Sequence, residues 1–262
     1  MRTKYALVTG ASGGIGKEMA RILFHKGYNL VLVARQGAKL EVVKAEFLPL
    51  NPKGSIEVLQ ADLSTVKGAE SVYDFTESSK IEVEVLINNA GSGIYGALEK
   101  TDITKFYHML MLNNYALTCL CKFYSKNMIK KKAGYILNIA SLAAYQPVPY
   151  IAAYAASKSY VLNFSEAIAM ELEEHGVSVT CFSPGHTDTN FFAEANIPEQ
   201  HQFYGIKTRV SPKKVAENAI NSLFNKKLSV IDGFKNSFLG CLNKFSPRKL
   251  TARISKMLVK VK

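Results

Sequence analysis

The chain has 262 residues, enough to bury one large α/β core and too few for two comfortable domains. With 48% hydrophobic and 21% charged residues, it lies outside the disordered, collagen-like and disulfide-framework classes. The net charge of +12 is lopsided: residues 1–204 carry 19 basic and 19 acidic side chains, while residues 205–262 carry 14 basic ones against Glu217 and Asp232 alone.

Tyr5–Thr9 predicts a first strand, and Gly10 ends that apolar run before it could serve as a secretory leader. No apolar stretch approaches the ~20 residues that cross a bilayer, so a cytoplasmic protein is expected. Further strands are predicted at Asn29–Ala34, Ile56–Ala61, Val83–Asn88, Gly134–Ala140, Val177–Ser183 and Leu228–Ile231. Several are continuous apolar runs, as strands covered on both faces require. Helical patterns fall between them at roughly 15–26, 37–48, 66–79, 102–131, 150–174 and 212–226. Gly27 and Gly176 stand where left-handed helix stops are wanted, and Ser211-Pro212 supplies an N-cap and first-turn proline. This alternation predicts an α/β fold of Rossmann type: one doubly wound domain, seven parallel strands, helices on both faces.

Gly10-x-x-x-Gly14-x-Gly16 follows the first strand and opens the first helix. Glycines there let the backbone approach a pyrophosphate, whose charge meets unpaired helix-terminal N–H groups. An NAD site usually carries an acid about twenty residues further on, to bind the ribose 2′-hydroxyl. Here the second strand ends Ala34-Arg35-Gln36, and the planar fork of Arg35 suits a 2′-phosphate instead. NADP(H) is the expected cofactor.

Tyr154 and Lys158, at i and i+4, share a face of the helix after the fifth strand, whose carboxyl end carries Ser141. In open α/β sheets ligands bind outside those strand ends. Reduction of a carbonyl needs a proton donor near the developing alkoxide. For a phenol to work near pH 7 takes roughly 4 kcal/mol of phenolate stabilisation, for which a neighbouring ammonium such as Lys158, together with the positive nicotinamide of the oxidised cofactor, is a reasonable source. Ser141 can hydrogen-bond the substrate oxygen.

Thr9–Gly16, Asn88-Asn89-Ala90-Gly91, Ser141, Tyr154-x-x-x-Lys158 and Pro184-Gly185 together resemble the short-chain dehydrogenase/reductase family, over residues 3 to about 233. The resemblance implies that Tyr154, Lys158, Ser141 and an Asn of the long helix, best matched by Asn113, form the catalytic set. It also implies that Gly10, Ser12, Gly14, Ile15, Gly16, Arg35, Asp62, Leu63, Asn89, Ala90, Gly91, Pro184, Gly185 and Thr187 hold the cofactor, with Asp62 at the adenine. A homodimer or homotetramer through the helices beginning near 102 and 150 follows by the same analogy. The alternative is a protein that binds NADP(H) as a sensor or scaffold without turnover.

The region 1–233 thus reads as the catalytic domain, with a substrate lid at about 186–210. Phe191, Phe192, Ile197, Phe203 and Tyr204 of that lid, with Tyr95, Tyr145 and Val148, suit an apolar or acyl-type carbonyl or alcohol substrate. Cys119, Cys121, Cys181, Cys241 and the scattered histidines form no metal pattern, so no metal is expected. Residues 234–262 form a basic extension in which Leu250, Ile254, Met257, Leu258 and Val261 share a helical face, with Arg253, Lys256, Lys260 and Lys262 on or beside the other. Packing on the protein, peripheral contact of 246–262 with an anionic membrane, and recruitment of an anionic partner are all open readings. No nucleic-acid motif accompanies the charge.

Overall fold

In the computed structural model, which describes residues 4–197 and 209–259, seven parallel strands form one sheet. They are β1 (Tyr5–Thr9), β2 (Asn29–Ala34), β3 (Ile56–Gln60), β4 (Val83–Asn88), β5 (Gly134–Ile139), β6 (Val177–Ser183) and β7 (Ser229–Ile231), in the order β3-β2-β1-β4-β5-β6-β7. The order reverses between β1 and β4, so the loops after these strands part and leave a crevice at their carboxyl ends. Lid positions Phe203 and Tyr204, and tail positions Lys260, Val261 and Lys262, lie outside the described residues.

Ten α-helices among the described residues complete the fold: α1 (Gly14–His25), α2 (Gly37–Phe47), α3 (Gly68–Ser78), α4 (Ile103–Leu110), α5 (Leu117–Lys131), α6 (Ala152–Glu173), the single turn α7 (Phe191–Glu194), α8 (Pro212–Phe224), α9 (Phe234–Phe245) and α10 (Arg248–Val259). The period-2 geometry of the strands divides the core between two faces. Ala6, Val8, Leu30 and Leu32 meet α1, α2 and α8, while Leu7, Val31 and Val33 meet α3, α5 and α6. Gly27 and Gly176 stop α1 and α6 at φ +88° and +72°.

The helix expected over 102–131 is present from Ile103 to Lys131, but its middle is not α-helical. A π-helical turn at Met111–Ala116 joins α4 to α5. The Asn113 side chain is fixed there, accepting from Ser92 N at 2.9 Å and donating to Ser92 O and Ser157 Oγ, each at 3.0 Å. Single π turns of this kind recur at functional sites, where they re-aim a side chain.

Between β4, β5 and α6 runs a buried polar line that hydropathy does not reveal. Asn88 donates to Asn138 Oδ1 at 2.8 Å, and Asn138 donates to Ser165 Oγ at 2.9 Å. Asn138→Ala removes both bonds at a fully buried position. The unfolding free energy in urea should fall by about 2–3 kcal/mol, whereas Lys130→Ala on the exposed face of α5 should change it by less than about 0.5 kcal/mol.

Candidate active site

The loops after β1 and β4 are laced together. Thr9 Oγ1 accepts from the backbone N–H groups of Asn89 and Ala90, each at 3.0 Å, and donates to Ile87 O at 3.2 Å. Asn89 Nδ2 returns bonds to Thr9 O at 3.0 Å and Gly10 O at 3.3 Å. The glycine pattern follows from that amide: a Cβ at Gly10 (φ +65°) would lie 2.7 Å from it, and one at Gly16 would collide with it and with Gly10 O. Gly13 differs, with nothing within 4 Å of its Cβ position, and no described side chain caps the first turn of α1.

Above these loops a cavity of about 860 Å³ runs along the carboxyl edge of the sheet. At one end, Gly10, Ser12, Gly14, Ile15, Asn89, Ala90 and Gly91 line it beside Arg35, Leu63 and Lys39. The open backbone at Gly13, the uncapped helix start and the two cations fit a phosphorylated dinucleotide. Lys39 escaped the sequence reading; it stands in the first turn of α2, just after Arg35.

Two residues expected to contact the cofactor stand outside the cavity wall. Gly16 does not line the cavity: it is buried in the first turn of α1, and what it contributes is room for the Asn89 amide. Asp62 does not line it either, although Ala61 and Leu63 do. The Asp62 carboxylate accepts from Ser64 N at 2.9 Å and Ser64 Oγ at 2.7 Å. Partial burial raises its pKa, but these bonds and the charge of Arg35 outweigh that and hold it below the ordinary aspartate value.

At the other end stand Ser141, Tyr154, Lys158, Pro184, Gly185 and Thr187. Ser141 Oγ accepts from Ala143 N at 3.1 Å, and its hydroxyl is also hydrogen-bonded to that of Tyr154, so the two groups face one point. Lys158 reaches past the ring of Tyr154, with Nζ 5.9 Å from the centroid, and donates to Ile139 O at 2.9 Å. Asn113 lies beneath the cavity rather than in its wall; a Cβ on Gly91 would lie 3.3 Å from both Asn113 Oδ1 and Lys158 Nζ. The neighbouring Asn114 donates instead to Ser157 O at 2.9 Å.

The expected acidification of the phenol is absent among the protein's own groups. Burial pushes Tyr154 up to about 12, and a hydrogen bond with Ser141 only partly opposes it. Burial likewise pulls Lys158 down to about 8. Lys158 spends its described bond on a carbonyl and not on the phenol. His186 also lines the cavity, and burial, then the charge of Arg209, holds it below the usual histidine value.

The lid supplies an apolar wall. Phe191 packs on Tyr154 with ring centroids 5.2 Å apart, and Phe192, Ala195 and Ile197 form a small buried cluster that lines the cavity. Val148 joins them as expected, but Tyr95 and Tyr145 do not. Tyr95 Oη donates to Val259 O at 3.2 Å, and Tyr145 packs into the core over β5 and β6. The segment after residue 233 is not detached from this site: Leu239 of α9, with Ser255, Leu258 and Val259 of α10, lines the same cavity. No signal in the sequence placed those four there.

Residues 4–200 match the short chain dehydrogenase family. A very-long-chain 3-oxoacyl-CoA reductase from Pyrenophora tritici-repentis is 36% identical over 187 residues, 69% of this chain, and the match spans about half (54%) of that relative's length. A 3-ketodihydrosphingosine reductase from Bacteroides thetaiotaomicron is 30% identical over 263 residues, covering 99% of this chain and 85% of the relative. A short-chain dehydrogenase from Sphingobium yanoikuyae, solved in complex with NADPH, superimposes with a TM-score of 0.82 at 26% identity, covering 92% of this chain and 94% of the other.

Burying the Lys158 ammonium has a cost that can be measured. Between pH 8 and the ordinary lysine value of 10.5 the unfolded chain binds more protons than the native one, so native stability rises through that window. Lys158→Met should therefore be more stable than the parent at pH 7, by up to about 3 kcal/mol less the lost bond to Ile139. That advantage should shrink toward zero by pH 10.5 in paired urea titrations.

Proposed function

The chain belongs to the short-chain dehydrogenase/reductase family of oxidoreductases, and on that premise we propose that it reduces a lipophilic ketone to an alcohol with NADPH. The observation that carries this reading is the single cavity that joins Arg35 and Lys39 at one end to Ser141 and Tyr154 at the other. NADPH, when bound, would supply a hydride to the substrate carbonyl carbon. Gly10–Ile15 and Asn89–Gly91 would hold the dinucleotide, with Arg35 and Lys39 on the 2′-phosphate and Pro184, Gly185 and Thr187 over the nicotinamide end.

Ser141 would donate a hydrogen bond to the carbonyl oxygen and fix it beside the phenol. Tyr154 would then give its proton to the alkoxide. With the phenol at about 12, it is protonated throughout the neutral range and poised for reduction; oxidation would need the phenolate and would gain from alkaline pH. Lys158, with Asn113 beneath it, would provide the route by which that proton is replaced. The wall of Phe191, Phe192, Ile197, Val148 and Leu258 suits an acyl or sphingoid-type chain, in keeping with the names of the two relatives. Ile103, Tyr107, Tyr115, Tyr160 and Met170 are exposed on α4–α6, and those faces are the ones proposed to form a dimer or tetramer.

Tyr154→Phe should lower kcat by about 10²–10⁴-fold in an NADPH-consumption assay on a long-chain 3-oxoacyl ketone, with NADPH affinity nearly unchanged. Binding without turnover across a carbonyl panel would favour a dinucleotide sensor instead. Arg35→Ala should weaken NADPH binding at least about tenfold while leaving NADH little affected, since one charge-assisted contact to the 2′-phosphate is worth about 1.5–3 kcal/mol. Equal efficiency of the parent with both cofactors would remove the NADP preference.

A further inference from the structure

Both C-terminal helices dock on the protein through small and polar side chains. From α9, Asn236 donates to Asp232 O at 2.6 Å, Ser237 to Ile231 O at 2.9 Å and Asn243 to Gln146 Oε1 at 2.7 Å, while buried Gly240 lies against Ile231. From α10, the buried line is Thr251, Ser255 and Val259, one residue per turn. The large apolar side chains face outward: Phe234, Phe245 and Met257 are 87%, 84% and 80% exposed, and Phe238, Leu250 and Ile254 follow them. This reverses the packing expected of an amphipathic helix at a protein surface, whose apolar stripe should be the buried one.

The charge around this face has one sign. Lys235, Arg248, Lys249, Arg253 and Lys256 are exposed, and the sequence has no acidic residue from 234 onward. On α10 the basic strip of Lys249, Arg253 and Lys256 runs alongside the apolar strip of Leu250, Ile254 and Met257. A second copy seated face to face by a twofold axis would bring cation against cation. An anionic bilayer surface satisfies both strips, since its headgroups pair the cations while its acyl boundary takes the apolar side chains.

We propose that α9 and α10 form a docking face for an anionic lipid bilayer and set the mouth of the active-site cavity against it. Leu239 and Leu258 belong to both surfaces, being 42% and 54% exposed and also lining the cavity. An apolar substrate can thus pass from the bilayer to Tyr154 along a continuous apolar wall. Docking stands on the two helices alone; delivery of substrate rests on the reductase reading. No helix among the described residues is long and apolar enough to cross a membrane, so the contact is with one leaflet.

The test sediments the full chain with vesicles of phosphatidylcholine alone and of equal parts phosphatidylcholine and phosphatidylserine. Binding at least about tenfold stronger to the anionic vesicles, and weakened by salt, is expected. Arg253→Glu with Lys256→Glu, and separately Phe245→Ser with Met257→Ser, should each lower it at least about tenfold. Both pairs should leave turnover of a short water-soluble ketone unchanged. The sequence contains no Trp, so Phe245→Trp provides a lone fluorophore whose emission should shift blue on anionic vesicles. Absence of binding to anionic vesicles, or binding indifferent to both pairs, overturns the proposal. So does a soluble dimer that both pairs convert to monomer, which would assign the face to a second copy. Vesicle binding without turnover of any ketone would sink the reductase reading and leave the docking face intact.

Discussion

The side-chain amide of Asn89 holds the site together. It sits at the point where the sheet changes direction, ties the end of β1 to the loop after β4, and takes the space that any Cβ at Gly10 or Gly16 would need. One consequence is local: the first turn of α1 can start without a side-chain cap, with its N–H groups turned to a cavity instead of to the protein. Another is long-range, because Gly91, two residues on, is where Asn113 and Lys158 converge. Cofactor cradle and proton-handling groups are thereby positioned by the same short loop.

The chemistry is set by burial more than by charge pairing. Tyr154 and Lys158 are both buried, and each is pushed toward its neutral form. A phenol that keeps its proton is the right starting state for a donor, and it requires no help from the lysine until the proton has left. The same desolvation makes Lys158 a stability cost, so in the proposed reduction native-state free energy is given up for a proton donor beside Ser141. The left-handed backbone of Tyr150, at φ +66° just before α6, is a second strained feature held next to the catalytic helix.

The cavity is completed by the end of the chain. Asn236 of α9 packs on Gly185, so the loop that closes one end of the cavity leans on the C-terminal extension. Tyr95 reaches α10 through Val259, so the loop after β4 leans on it as well. The extension is therefore part of the wall around the substrate region, and its inverted amphipathicity makes that wall continuous with an exposed apolar surface.

The sheet was legible in the sequence almost residue for residue, since a strand covered on both faces must be apolar throughout and its ends are punctuated by Gly, Asn or Ser. The motif residues were legible too: Gly10, Asn89, Ser141, Tyr154 and Lys158 are required by backbone geometry or chemistry at fixed places relative to strand ends. Tertiary structure alone decided what depends on distant neighbours. Asn113 sits in a π turn with its amide bonded to both Ser92 and Ser157, and the Asp62 carboxylate is bonded to Ser64. The Tyr154 phenol is pushed toward its neutral form because burial outweighs its hydrogen bond with Ser141. Hydrophobic periodicity located α10 but left open which way its apolar stripe faced; the stripe that packs is Thr251, Ser255 and Val259. Periodicity records which residues share a face, whereas the direction that face points is fixed by what the rest of the chain offers it.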